Sequence, residues 1–327
     1  MISLIIILAV AAAGYEAYLK KPSASALTEP IVIANGMSTA EIAAVLKKSG
    51  VISSAAVFTA VADLSGKFKD LHAGTFIFKE GMSAVDALKT LSVKGPQEIS
   101  VTIPEGYDLR HIAERLIATG IIKNAEELYA VTGAPTASAK VGDGLIKDYA
   151  FLAAKPANVS LEGYLFPDTY RFYAGTPAET VVRKMLDTYQ TKIEALSNKP
   201  DHADLTLASL VESEVKTDAD RAKVADILKR RLAAGMPLQL DSTVNYATGK
   251  SSPAVSSNDL TVNSPYNTYK YKGLPPGPIA NPGMSSIGAA LAPTPNPYWY
   301  FLTAPDGTVV YSQTLTEHNA AKAKYLK

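Results

Sequence analysis

Apolar and polar positions recur along the chain in three related blocks. Ile31 to Ile33 is a short apolar run; Gly36 follows, then Ser38, then apolar positions at Ile42, Ala43 and Leu46. The same order returns at Val101 to Ile103, Gly106, Asp108, Ile112, Ala113 and Leu116. A shorter copy lies between them at Phe76 to Phe78, Gly81, Ser83, Ala87, Leu88 and Leu91. β-Branched and aromatic runs predict strands, and the glycines predict turns. Ser38, Ser83 and Asp108 are N-cap residues for helices whose apolar positions recur at three- and four-residue spacing, and Gly50 and Gly120 fit helix stops. Each block therefore reads as strand, turn and helix. Such a unit is either plain scaffold or a small glycan-binding module.

From Gly133 to Ser160 the pattern carries little. Leu161 to Phe172 is dense in aromatics, and Thr176 or Thr180 then opens a helix running toward Leu196. Further helices are predicted over Leu205–Val215 and Asp218–Leu232. Beyond Gly235 short strands and loops are expected, with Pro and Gly crowded between Gly273 and Gly283. Trp299–Thr303 and Val309–Tyr311 flank Asp306-Gly307 as a hairpin, and His318–Leu326 closes the chain as a helix. The expected class is α+β.

Ahead of these blocks, Ile2 to Ala13 is apolar except for Ser3, and Gly14 to Leu19 adds one charge, Glu16. A bilayer core takes about 20 residues, so residues 1–21 are expected to be a single membrane-anchoring helix. The competing reading is a signal peptide cut near Ala11 to Ala13, although a basic leading region is missing. Lys20 and Lys21 follow the apolar run, against the orientation that places the rest of the chain outside the cell; an upstream start codon would resolve this. Pro22, Ser23, Ser25 and Pro30 mark a tether.

A length of 327 residues leaves room for more than one core. Formal net charge is +1 with both signs interspersed, which gives no field for a polyanion and sets nucleic acid aside. Cysteine is absent, so disulfides, thiolate chemistry and cysteine-ligated zinc are excluded. His72, His111, His202 and His318 lack metal-ligand spacing, and no metal or cofactor is expected. Gly249-Lys250-Ser251 lacks the earlier glycine of a phosphate loop, and no GxSxG elbow occurs.

What remains is Leu205 to Val215, an apolar helix with Glu212 and Glu214 near its C-terminal end. Apolar neighbours and the negative end of the helix both disfavour the anion, so one or both carboxyls are expected to keep a proton to higher pH than usual. That suits an acid catalyst of glycosidic cleavage. The two residues lie about 200° apart around the helix, so one is expected to be catalytic and the other structural. Ion pairing with Lys216, Arg221 or Arg230 is the plainer explanation for either.

Leu161–Phe172 (LEGYLFPDTYRF), Leu207–Glu214 (LASLVESE), Lys223–Gly249, Ser264–Gly283 (SPYNTYKYKGLPPGPIANPG) and Ser312–Asn319 (SQTLTEHN) together resemble the endolytic murein transglycosylase, or YceG-like, family. With GTFIFKEGM ahead of them they cover nearly all the chain beyond the apolar segment. The resemblance implies a LysM-like module over residues 22–97 and a lytic transglycosylase catalytic domain over 98–327. It also implies Glu212, first glutamate of the VExE segment, as the catalytic acid. Ser242 departs from the family's usual proline.

Gln239, Asp241 and Thr243 are candidate ligands for sugar hydroxyls and acetamides, with loop capping as the alternative. Tyr266, Asn267 and Tyr269 suit a pyranose face, with a core edge as the alternative. Glu214 is placed with this substrate-binding group, and Glu162, Asp168 and Arg171 are further cleft candidates. The expected partner is the peptidoglycan glycan strand, with peptidoglycan synthases as further candidate partners. The expected location is the cytoplasmic membrane, single-pass, with the catalytic domain on the periplasmic or extracellular side. The expected reaction cleaves the MurNAc–GlcNAc bond and leaves 1,6-anhydroMurNAc ends. A hydrolytic muramidase and a non-catalytic peptidoglycan-binding scaffold are the alternatives.

Overall fold

A computed structural model describes residues 31–34, 36–66, 70–93, 98–136, 141, 143–173, 175–252 and 255–326. The expected anchor and its tether lie outside them. Among the described residues no helix is long and apolar enough to cross a membrane. The chain forms two compact units, Met1–Glu98 and Ile99–Lys327.

In the first unit β1 (Ile31–Ile33) pairs antiparallel with β2 (Gly74–Phe76), Ile31 opposite Phe76. Between them run α1 (Thr39–Lys48) and α2 (Ala55–Ser65), and α3 (Ala84–Ser92) follows. Ser38 and Ser83 cap α1 and α3 as their spacing predicts. The additional helix α2 begins at an N-cap, Ser54, and contributes Phe58 to a core shared with Leu46, Phe76 and Leu91.

The third copy of the repeat opens the second unit. Its strand β3 (Ile99–Thr102) pairs antiparallel with β4 (Thr169–Phe172), and Asp108 caps α4 (Leu109–Ala118). The chain continues through α5 (Ala125–Thr132), α6 (Asp143–Asp148) and α7 (Ala178–Glu194), then α8 (His202–Glu214) and α9 (Asp218–Ala233). Beyond Gly235 the expectation of strands and loops is corrected: α10 (Asp241–Thr248) and α11 (Met284–Leu291) are helices. The hairpin β5 (Tyr300–Thr303) and β6 (Val309–Ser312) and a closing helix α12 (Leu315–Tyr325) complete the unit.

Seven successive residues of α8, Leu205 to Val211, are buried. A helix buried on every side belongs inside its unit, and α8 packs against α9, α10 and α11. Its start is fixed by reciprocal bonds between Asp201 and Asp204. At about 1.5–3 kcal/mol per fully buried Leu or Val side chain, this stretch outweighs any single polar contact at the end of the helix.

Candidate active site

The last turn of α8 carries Glu212, Ser213 and Glu214. Glu212 has 6% of its side chain exposed. Its carboxylate meets three donors: Arg221 Nη2 donates to Oε1 at 2.7 Å, while Ser286 Oγ and the Gly283 N–H donate to Oε2 at 2.7 and 3.1 Å. Arg221 reaches it because the chain turns back at once into α9, whose N-cap is Thr217. Gly283 is the N-cap of α11, so the carboxylate faces the positive end of that helix. Within its own helix Glu212 sits at an unfavourable end; α11 and Arg221 oppose that from elsewhere in the chain. Three hydrogen-bond donors thus converge on its two oxygens.

Glu214 turns to a different wall. Ser242 Oγ donates to its Oε1 at 2.6 Å. Burial pushes the Glu214 carboxyl up, the Ser242 hydroxyl opposes this, and Asp241 nearby adds to it. Asp241 in turn accepts from the Tyr269 hydroxyl at 2.6 Å, and burial followed by this bond raises the Tyr269 phenol above its usual range.

A cleft of about 270 Å³ opens beside this region, with Asp108, Arg110, His111, Ser213, Ser242 and Tyr246 among its lining. Glu212 stands at its edge rather than in its lining. Its neighbour Ser213 lines the cleft, as does Gly106, whose Cα face lies against the Glu212 Cγ.

Behind the cleft, Asn281 ties three segments together. Its Oδ1 accepts from the Leu165 N–H at 2.9 Å, and its Nδ2 donates to Tyr107 O at 2.9 Å and Glu162 Oε1 at 3.0 Å. Its backbone exchanges two further bonds with Tyr107 and Gly106. Glu162 also accepts from the Leu109 N–H and the Tyr246 hydroxyl, each at 3.1 Å. Burial pushes the Glu162 carboxyl up to about 8, Asp108 adding to the rise, with the Leu109 and Tyr246 bonds opposing it. The rigid loop ahead of Asn281 seats on Gly163, whose φ is +88° and where a Cβ would fall 2.5 Å from Pro278 Cγ.

Several expectations are corrected by this geometry. Glu162 is a fully buried brace, not a cleft residue. Thr243 and Asn267 are fully buried and use their polar atoms within the protein. Thr243 donates to Leu240 O at 2.7 Å, while Asn267 Nδ2 donates to Leu260 O and Val262 O at 3.0 Å. They fold the wall and do not reach a sugar. Tyr266 is buried against Tyr246, ring centroids 4.9 Å apart, which is the core-edge role. Asp168 accepts from the Thr169 N–H and so bonds its own turn. Gln239 is exposed with φ 53°, and Arg171 is exposed on β4.

Sequence reasoning missed Ser286, Gly283, Asn281 and Glu105. Glu105 precedes the turn glycine of the third repeat. Its Oε2 lies 3.9 Å from the same Arg221 Nη2 that holds Glu212. A Cβ on Gly283 would fall 1.8 Å from Glu105 Oε1, so a glycine is what lets the Glu105 turn lie against the start of α11. Burial pushes the Glu105 carboxyl up, Glu212 adding and Arg221 opposing. The repeated Glu-Gly pair was the signal available for Glu105, and the Ser264–Gly283 motif that for Asn281 and Gly283.

The YceG-like family matches residues 31–324. The chain belongs to the YceG-like family. A Bacillus subtilis relative named endolytic murein transglycosylase is 38% identical over 317 residues, covering 92% of this chain and 86% of the relative. A Streptococcus pneumoniae protein of the same name is 31% identical over 319 residues, covering 90% of this chain and 58% of that protein. The crystal structure of a yceG-like protein from Listeria monocytogenes superposes with a TM-score of 0.60 at 34% identity, covering 90% of this chain and all of the other. The mixed α+β architecture of this YceG-like chain accords with that structure.

Proposed function

We propose that this chain is an endolytic lytic transglycosylase that cuts the MurNAc–GlcNAc bond of peptidoglycan strands and leaves 1,6-anhydroMurNAc ends. The observation that carries the reading is Glu212, held at a cleft edge by Arg221, Ser286 and Gly283, in a chain whose relatives bear that name. Glu212 protonates the departing glycosidic oxygen as the bond to the anomeric carbon breaks. The resulting carboxylate then takes the proton of the C6 hydroxyl of the same muramic acid as that oxygen closes on the anomeric carbon. A nucleophile within the substrate has a high effective concentration and needs no bound water. The three donors suit the carboxylate between the two steps.

Residues 1–21 anchor the chain in the cytoplasmic membrane with the catalytic domain outside, and the first unit is a LysM-like module that holds the strand. The strand–helix–helix–strand order of that unit supports this role. Peptidoglycan synthases are the fitting partners, since a strand is cut where it is made. Fractionation and protease accessibility of tagged cells test the anchor.

Hydrolysis has one observation in its favour. Arg221 Nη2 lies 2.7 Å from a Glu212 oxygen and 3.9 Å from a Glu105 oxygen, which holds the two carboxylates near enough for the roughly 5–5.5 Å pairing of an acid with a second carboxylate in a hydrolase. Mass spectrometry of the products from purified glycan in oxygen-18 water separates the two. Anhydro ends without label support the proposal, and labelled reducing MurNAc replaces it with a muramidase.

A further inference from the structure

Arg221 stands between three carboxylates. Its Nη1 donates to Asp218 Oδ1 at 3.2 Å and its Nη2 to Glu212 Oε1 at 2.7 Å, with Glu105 Oε2 3.9 Å from the same Nη2. The side chain is only 11% exposed, and its Nε is buried with no hydrogen-bond partner among the described residues. The guanidinium thus has an unused donor and one carboxylate within reach that it does not yet bond. A buried donor left without an acceptor is unfavourable, so this arrangement does not satisfy Arg221 fully. Glu105 is half exposed, whereas Asp218, on the open surface, already accepts from the Ser285 hydroxyl and Arg221 Nη1 on one oxygen.

The chemistry proposed for Glu212 requires two charge states, and the bonds observed suit only one of them. With Arg221 drawn in at 2.7 Å the site fits the carboxylate that takes up the C6 hydroxyl proton. The first step needs the protonated acid, and a guanidinium donating to Oε1 works against that form. An alternative anion for Arg221 removes the conflict.

We propose that Glu105 is a positioning residue for cleavage: it competes with Glu212 for Arg221, holding the cation while Glu212 carries its proton and releasing it when Glu212 becomes anionic. This rests on Glu212 being the acid. The ionisable groups facing Glu212 are Glu105 from the β3–α4 turn and Arg221 and Asp218 from α9, while α11 presents only Ser286 and backbone N–H. Removing Glu105's charge acts in one direction. It deletes a neighbouring negative charge and leaves Arg221 to Glu212, both of which favour the Glu212 anion, so the protonated acid is lost at lower pH.

The test compares the full chain with Glu105→Gln and the charge-conserving Glu105→Asp, following anhydro-ended product from purified glycan against pH. In Glu105→Gln the high-pH limb of kcat/KM should move to lower pH, so that the loss relative to the parent grows across the limb and reaches about tenfold above it. Glu105→Asp should recover most of the limb. A Glu105→Gln profile that superposes on the parent, or that falls equally at every pH, overturns the proposal. Carbon-13 NMR titration of the Glu212 side chain gives a readout without turnover: its midpoint should drop in Glu105→Gln, and an unchanged midpoint overturns the proposal. A parent chain that makes no anhydro ends defeats the transglycosylase reading instead, and the titration still decides the part played by Glu105.

Discussion

The Ser286 hydroxyl donates to Glu212 Oε2 at 2.7 Å across 74 residues of sequence. Ser286 is itself fully buried in α11, so its orientation is fixed and the bond is aimed before substrate arrives. Replacing it by Ala removes one of three donors and leaves the methylene packing. Ser286→Ala is expected to slow cleavage about tenfold while lowering stability by no more than about 1.5 kcal/mol. Initial rates alongside thermal melts check this; a variant that melts much earlier at full specific activity contradicts it.

Glu212→Gln and Glu214→Gln should separate cleanly, since the two side chains bond to Ser286 and Ser242 on different helices. The first is expected to abolish product and keep the fold, because the amide preserves volume and loses the transferable proton. The second should act mainly on stability, through the half-buried contact with Ser242. A dead, folded Glu214→Gln together with an active Glu212→Gln would reverse the assignment.

Glu162 makes stability depend on pH in a defined direction. The folded protein keeps a proton on this carboxyl up to about 8, against an ordinary value of 4.5. Between those values the unfolded chain binds fewer protons than the native one, so stability falls as pH rises through that window and levels off above it. The full effect is bounded at several kcal/mol. Melting curves of the parent and Glu162→Gln should therefore converge at acid pH and separate toward pH 8 in favour of Gln. Parallel curves would show that Glu162 titrates normally.

Gly163 and Gly235 both have positive φ, +88° and +64°, but a Cβ at Gly163 meets Pro278 at 2.5 Å whereas nothing lies within 4 Å at Gly235. Gly235→Ala should cost about 1 kcal/mol, the price of the left-handed backbone alone. Gly163→Ala adds overpacking against a rigid ring and should cost about 3 kcal/mol or more. Urea denaturation of the two variants measures the difference, and equal losses would mean that the loop yields freely.

The cores of the two units share no residue. A chain beginning at Glu98 is expected to fold and retain some cleavage, with weaker binding to long strands. Loss of all activity in a soluble, folded truncation counts against independent units.

The helices of the three repeats and the pair α8 and α9 could be read from sequence because each is announced locally, by a side-chain N-cap and apolar spacing; the middle strand lies earlier than expected, at Gly74–Phe76 and not Phe76–Phe78. The helices α10 and α11 could not: Leu240 and Gly283 precede them and neither makes a side-chain cap bond. Glu212 stood out by type and place, yet its surroundings did not, because Arg221 comes from α9 and Gly283 and Ser286 from α11, two elements brought to it by packing. Thr243 and Asn267 misled for a related reason. A polar side chain in a loop-rich stretch looks available, and only the fold reveals that its bonds are already made.

Two of the three donors to Glu212 belong to the start of α11, and the fastening of the Glu105 turn depends on Asn281 just before it. A polypeptide that stops short of Gly283 contains the whole of α8 and still has no finished site. Order of synthesis thus sets a condition: a chain released or clipped before Gly283 carries the proposed acid, Glu212, with Arg221 but without the two α11 groups that hold its other oxygen.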